Sequence, residues 1–241
     1  MPARRPSPAP DPAGERHTVS LGSGRFTAAT IYRAASPANR LLVLAHGAGA
    51  GQHHPFMTAM AAQLAARGTD VVTFDFSYIH EGRKVPDRTP VLEACFGGVV
   101  DWAVGREEFA ARRLLVGGKS MGGRMATHLA AAGFIARAGA GPSLSGVIAL
   151  GYPLHPPGKP QQPRTAHLGS IRAPWLIVQG SRDAFGTPDE LRPVMATMTA
   201  AVTLHVVEGG DHSFAVARTP RESVLATVAE VITRWADSSN V

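Results

Sequence analysis

Residues 114–133 read LLVGGKSMGGRMATHLAAAG, and the fold turns on them. LLVGG (114–118) is a short continuous apolar run, as expected of a strand covered on both faces. Residues 121–132 have helical periodicity and stop at Gly133. Between the two stands Gly118-Lys119-Ser120-Met121-Gly122, followed by Gly123. A turn this sharp would make neighbouring side chains collide, so glycine flanks the serine on both sides. It lifts the hydroxyl above the carboxyl edge of a sheet, at a helix N-terminus that favours developing negative charge. The bland alternative is a plain strand–helix turn in a glycine-rich chain.

The surrounding pattern supplies the context that the motif needs. On the N-terminal side, 17–21 and 26–33 (FTAATIYR) read as a hairpin around Gly22-Ser23-Gly24. LLVLA (41–45) is a buried strand, 55–67 a helix ending at Gly68, and VVTFDF (71–76) another buried strand. Residues 90–104 read as a helix in which Gly97-Gly98 is a weak point. Beyond the elbow, GVIALGY (146–152), WLIVQG (175–180) and VTLHVVEG (202–209) read as strands, and 188–200 and 220–236 as helices. Strands alternating with helices imply βαβ units and an α/β architecture: a mostly parallel sheet of about seven or eight strands, flanked by helices. The first two strands precede any helix and are expected to form an antiparallel edge. The stretch 153–173 is too short for a cap domain and reads as a surface loop near a site.

Size and composition agree. A chain of 241 residues with 44% hydrophobic and 17% charged residues buries roughly 70–75% of its unfolded surface as one domain. Residues 1–15, rich in Pro, Ala and Arg, read as a disordered tail, with one domain over 16–241. Cys95 is the only cysteine, so no internal disulfide forms; it sits in a helical pattern as a small core residue. No apolar stretch follows the N-terminal arginines as in a secretory signal, and no run of about 18 apolar residues exists. A soluble cytoplasmic protein is the expectation. The net charge of +6 comes from singly scattered arginines, without basic runs alternating with aromatics, which argues against nucleic acid.

A serine needs a base. His212, in GGDHSF (209–214), follows the last strand and so shares the rim of Ser120. It can take the hydroxyl proton and return it to a leaving group. Asp183, in GSRD (180–183), follows strand 175–180 and can orient the imidazole. Asp211 is the nearest rival, but as the direct neighbour of His212 it is poorly placed to reach that ring. The order Ser120, Asp183, His212 matches a hydrolase arrangement. HGAGAG (46–51) offers bare backbone N–H groups for an oxyanion: Ala48 N–H with Met121 N–H, or Gly49 instead of Ala48. His46, Gly47, Gly49, Tyr78 and Tyr152 are candidate pocket residues, with His80, Arg83, Lys84 and His155 beside them.

Two competing readings remain. Gly47-x-Gly49-x-Gly51 with Asp75 hints at a dinucleotide site, but the fingerprint needs glycine at 52, where Gln52 stands. It also leaves Ser120, Asp183 and His212 unexplained. His53-His54 lacks a partner at metal-ligand spacing and reads as solvent-facing loop, so no metal and no cofactor is expected.

HGAGAG, GKSMGG (118–123), GSRDAFG (180–186) and GGDHSF, in this order, resemble the α/β-hydrolase superfamily over roughly residues 40–237. FDFSYIHEGRKVPDR (74–88), GYPLHPPGKP (151–160) and HGAGAGQHHPFM (46–57) resemble a narrower group. It is similar to a testis-expressed hydrolase-like protein and a subunit of a histone-acetyltransferase complex. The wider group resembles dienelactone hydrolases and carboxylesterases, although this elbow has serine where the dienelactone enzymes have cysteine. The resemblance implies the hydrolase fold and a serine nucleophile. The Ser120, Asp183 and His212 set itself leads to the expectation of a serine hydrolase acting on an ester, thioester or similar acyl group, and the short loop 153–173 to that of a small or protruding substrate. The second hypothesis is a non-catalytic interaction module of the same fold, which a missing contact between His212 and Ser120 would favour. Oligomeric state is left open.

Overall fold

The computed structural model describes residues 14–133 and 144–238. Eight strands form one sheet: β1 (Glu15–Gly22), β2 (Arg25–Tyr32), β3 (Arg40–Ala45), β4 (Thr69–Phe74), β5 (Arg113–Lys119), β6 (Leu144–Leu150), β7 (Trp175–Gly180) and β8 (Val202–Val207). Their spatial order is β1-β2-β4-β3-β5-β6-β7-β8. β1 pairs antiparallel with β2, and β2 antiparallel with β4. The other pairs are parallel. The hairpin edge and the parallel body are thus as the sequence implies.

Among the described residues six α-helices flank the sheet: α1 (Pro55–Ala65), α2 (Ser77–His80), α3 (Thr89–Val104), α4 (Met121–Ala131), α5 (Pro188–Met195) and α6 (Arg221–Ser238). The strands β3 to β7 are apolar on both faces because helices cover both. One face buries Phe96, Val100, Met125 and Leu191 from α3, α4 and α5. The other buries Phe56, Met60, Leu225 and Trp235 from α1 and α6. Gly97-Gly98 does not break α3: a Cβ at Gly98 would stand 2.9 Å from the Leu21 side chain, so the glycine lets the helix lie against β1.

Several boundaries differ from the sequence reading. Glu15 already belongs to β1, so the proposed tail loses its last residue, and residues 1–13 lie outside the described residues. β4 stops at Phe74, because the Asp75 side chain and the Phe76 backbone turn to hold the loop after β3. β6 stops at Leu150, where Gly151 takes φ 67. β8 stops at Val207, two residues before Gly209 at φ 68. α5 covers only 188–195 of the expected 188–200. Pro193 offers no N–H inside it, and Thr197 and Met198 N–H fall back onto carbonyls three residues earlier.

Between β6 and β7 the chain forms only a short 3-10 turn, Leu168–Ser170, and no cap domain. No described helix is long and apolar enough to cross a membrane.

Candidate active site

The elbow is built by close approach of backbones. Ala45 at the end of β3 lies in register with Gly118 on β5. A Cβ at Gly118 would stand 2.6 Å from Ala45 O, and one at Gly122 would overlap the same carbonyl. No side chain fits, so α4 starts directly over the strand ends. Ser120 adopts φ 52 and ψ −114 to make the turn, a strained conformation for a residue with a Cβ. Its hydroxyl does not cap α4.

That hydroxyl meets His212 instead. Ser120 Oγ lies 2.8 Å from His212 Nε2, and His212 Nδ1 lies 2.7 Å from Asp183 Oδ2. A carboxylate only accepts, so Nδ1 donates to it and Nε2 is left to accept the serine proton. Asp183 is fully buried. Its Oδ1 accepts Phe185 N–H at 2.8 Å, and its Oδ2 also accepts Gln179 Nε2 at 2.9 Å. The Phe185 ring lies on the His212 ring, with centroids 4.2 Å apart. Asp211 does not approach the imidazole; its Oδ1 accepts Ser213 and Ala215 N–H and shapes the histidine loop.

The loop after β3 is held by side chains. Gln52 N–H donates to Asp75 Oδ1 at 2.7 Å, and Gln52 Nε2 to Asp75 Oδ2 at 3.1 Å. Asp75, which had suggested a dinucleotide site, is therefore half of a clamp on this loop, and Gln52, which broke the fingerprint, is the other half. His46 is buried; its Nε2 accepts Phe76 N–H and its Nδ1 donates to Gly47 O. Burial holds its pKa below the usual imidazole value, so it stays neutral. Gly49 N–H donates to Tyr78 Oη at 2.9 Å. This engages the Gly49 donor. Among the described residues neither Ala48 N–H nor Met121 N–H has a partner.

Ser120 and His212 line a cavity of about 480 Å³, together with Gly47, Ala48 and Met121. Four of the expected pocket residues do not line it. His46, Tyr78 and Tyr152 are fully buried, and Gly49 is exposed outside it. They support the wall: Tyr78 holds Gly49, and Tyr152 Oη donates to Arg164 O at 2.7 Å. His155 is buried against Glu190, while Arg83 forms ion pairs with Asp87 and Glu81. His80 and Lys84 are exposed away from the cavity.

Other lining residues escaped the sequence reading. His54 is exposed in its loop, as expected, but it also caps α1 through Nδ1 and lines the cavity. Burial, then Arg221 and Lys119, lower its pKa. Lys119 donates to His212 O at 2.6 Å, and burial pushes its ammonium down to about 8 against the pull of Asp183 and Asp211. Arg124, Arg164 and Arg221 complete the basic lining. The missed Gln179 did carry a signal: it is the one polar residue inside WLIVQG. Among the described residues no group of three or more His, Cys, Asp or Glu is gathered for a metal.

Three solved structures share the fold. A serine hydrolase homologue from Coxiella burnetii superposes with TM-score 0.71 at 17% identity, covering 91% of this chain and 96% of its own. A dienelactone hydrolase from Anabaena variabilis gives 0.71 at 19%, covering 94% and 96%. A serine hydrolase without lid from Xanthomonas campestris gives 0.71 at 17%, covering 94% and 96%. Residues 38–240 match the family described as an alpha/beta hydrolase domain. The chain belongs to that α/β-hydrolase domain family.

Proposed function

We propose that the protein is a serine hydrolase that cleaves a small ester, thioester or similar acyl bond through Ser120, His212 and Asp183. The observation that carries this reading is the unbroken relay from Ser120 Oγ to Asp183 Oδ2, at 2.8 and 2.7 Å, opening onto the cavity. An interaction module has no need of such a relay.

Each group has one task. Ser120 Oγ attacks the acyl carbon as its proton moves to His212 Nε2. Asp183 stabilises the resulting imidazolium and does not itself take the proton. Ala48 and Met121 N–H hold the carbonyl oxygen as it becomes an anion, each donor worth about 3 kcal/mol in the transition state. The bond to the leaving alcohol or thiol breaks, and His212 returns the proton to it. Water, deprotonated by the same imidazole, then attacks the acyl carbon, and the acid leaves as the bond to Ser120 Oγ breaks and His212 returns the proton to that oxygen. This chemistry needs no cofactor. The wall fits a small substrate, or one that protrudes, since no cap closes over it among the described residues. The likeness to the narrower group, drawn from its motifs, adds no substrate.

A fluorophosphonate probe tests the reading without knowledge of the substrate. Label is expected on the Ser120 peptide of the wild type and absent from Ser120→Ala, with ester turnover down about 10⁴-fold or more. A folded wild type that takes no label sinks the proposal.

A further inference from the structure

The charge on the cavity wall is almost all of one sign. Lys119, Arg124, Arg164 and Arg221 line it, against the single carboxylate of Asp87. Asp87 is already taken, since Arg83 binds it through Nη1 at 2.7 Å and Nη2 at 3.1 Å. Two of the cations are partly engaged. Lys119 donates to His212 O, and the Arg221 guanidinium lies 5.8 Å from the centre of the Phe56 ring.

Arg124 and Arg164 are different. Arg124 is half-buried on α4, one turn beyond the nucleophile, with its N–H donating to Ser120 O at 3.0 Å. Among the described residues its guanidinium has no hydrogen-bond or ion-pair partner. The nearby carboxylate of Glu93 is engaged by His128 at 2.8 Å. The Arg164 guanidinium makes one long bond, to Pro153 O at 3.4 Å. Its backbone, however, is pinned by Tyr152 Oη and by Leu154 O. Burial and then Arg164 lower the pKa of Arg124, so the two positive groups are close enough to oppose one another. Holding two guanidinium groups without carboxylate partners in one partly dry cavity wall costs stability. An oxyanion between them removes that cost, and the planar fork of arginine suits a carboxylate or a phosphate.

We propose that Arg124 and Arg164 form an anion subsite, and that the substrate of Ser120 carries a carboxylate or phosphate group beside its scissile acyl bond. The subsite stands on its own geometry; the substrate class rests on the hydrolase reading above. Lys119 and Arg221 add positive potential that draws such a substrate in.

The test pairs charged and neutral esters. Mono-4-nitrophenyl adipate is compared with 4-nitrophenyl hexanoate, and 4-acetoxyphenyl phosphate with phenyl acetate. The first pair puts a carboxylate on the acyl side and the second a phosphate on the alcohol side. In the wild type, kcat/KM is expected to favour the charged member of at least one pair by about tenfold or more. That ratio falls toward one in Arg124→Gln and in Arg164→Gln, and shrinks with added salt. Calorimetric titration of the wild type with adipate and inorganic phosphate reads the subsite without turnover. Binding lost in both variants upholds it even if Ser120 takes no fluorophosphonate, which would sink only the hydrolase reading. Ratios near one with no anion bound overturn the proposal, as does a preference that survives in both variants. Thermal melting shows that each variant is folded, and either one suffices if the other is not.

Discussion

The segment 117–123, from the end of β5 into α4, and the loop 46–52 after β3 lie side by side at the carboxyl edge of the sheet, and both are rich in glycine. In the turn, glycine makes room. Backbone stands where the Cβ atoms of Gly118 and Gly122 would be. In the loop, glycine supplies conformation. A Cβ at Gly49 would meet nothing within 4 Å, but the residue takes φ 70. The turn is therefore fixed by main chain against main chain. The loop is fixed by side chains, through Tyr78 on Gly49 and Gln52 on Asp75. Equal letters in a motif can answer to unequal forces.

The contrast breaks most visibly at Gly122. Gly122→Ala forces β3 and α4 apart and is expected to lower stability by about 3 kcal/mol, read by urea unfolding. A midpoint equal to the wild type would refute the steric account. Gly49→Ala asks only for an unfavourable φ and should cost about 1 kcal/mol in the same assay. If it costs as much as Gly122→Ala, the two loops do not differ in kind.

The finest test lies on Lys119, which joins the turn to the histidine loop. Its folded pKa of about 8 lies below the value of about 10.4 for a free lysine. Between those values the unfolded chain holds the proton more often than the folded one. Stability from this group therefore rises as pH climbs from about 8 to about 10.4, and is lowest below that window. Comparing Lys119→Met with the wild type at pH 7.5 and pH 10 isolates this slope. Identical pH dependence in the two proteins would remove the perturbed lysine.

Much of this was readable because strand ends announce themselves. Ser120, Asp183 and His212 each follow an apolar strand of a parallel sheet, and that topology puts every such end on one rim. A strand end does not say which way the next side chain points. Tyr78 and Tyr152 follow strands too, yet they turn inward and serve as props. The basic lining was hidden for a related reason. Arg124 lies on a helix face, and Arg164 in a polar connection without periodicity, so only the folded chain brings them together. The shortened α5 reflects Pro193, which removes a helical N–H donor but does not fix the residue at which the helix ends.

The brief connection between β6 and β7 also sets a timescale. Enzymes with mobile covers wait microseconds to milliseconds for the cover to move. Among the described residues no cover stands over this site, so ligands are expected to exchange at the pace of diffusion, with a rate that ignores solvent viscosity until encounter itself is limiting. The same openness leaves any intermediate in contact with bulk water, so this architecture suits reactions in which water is the intended acceptor.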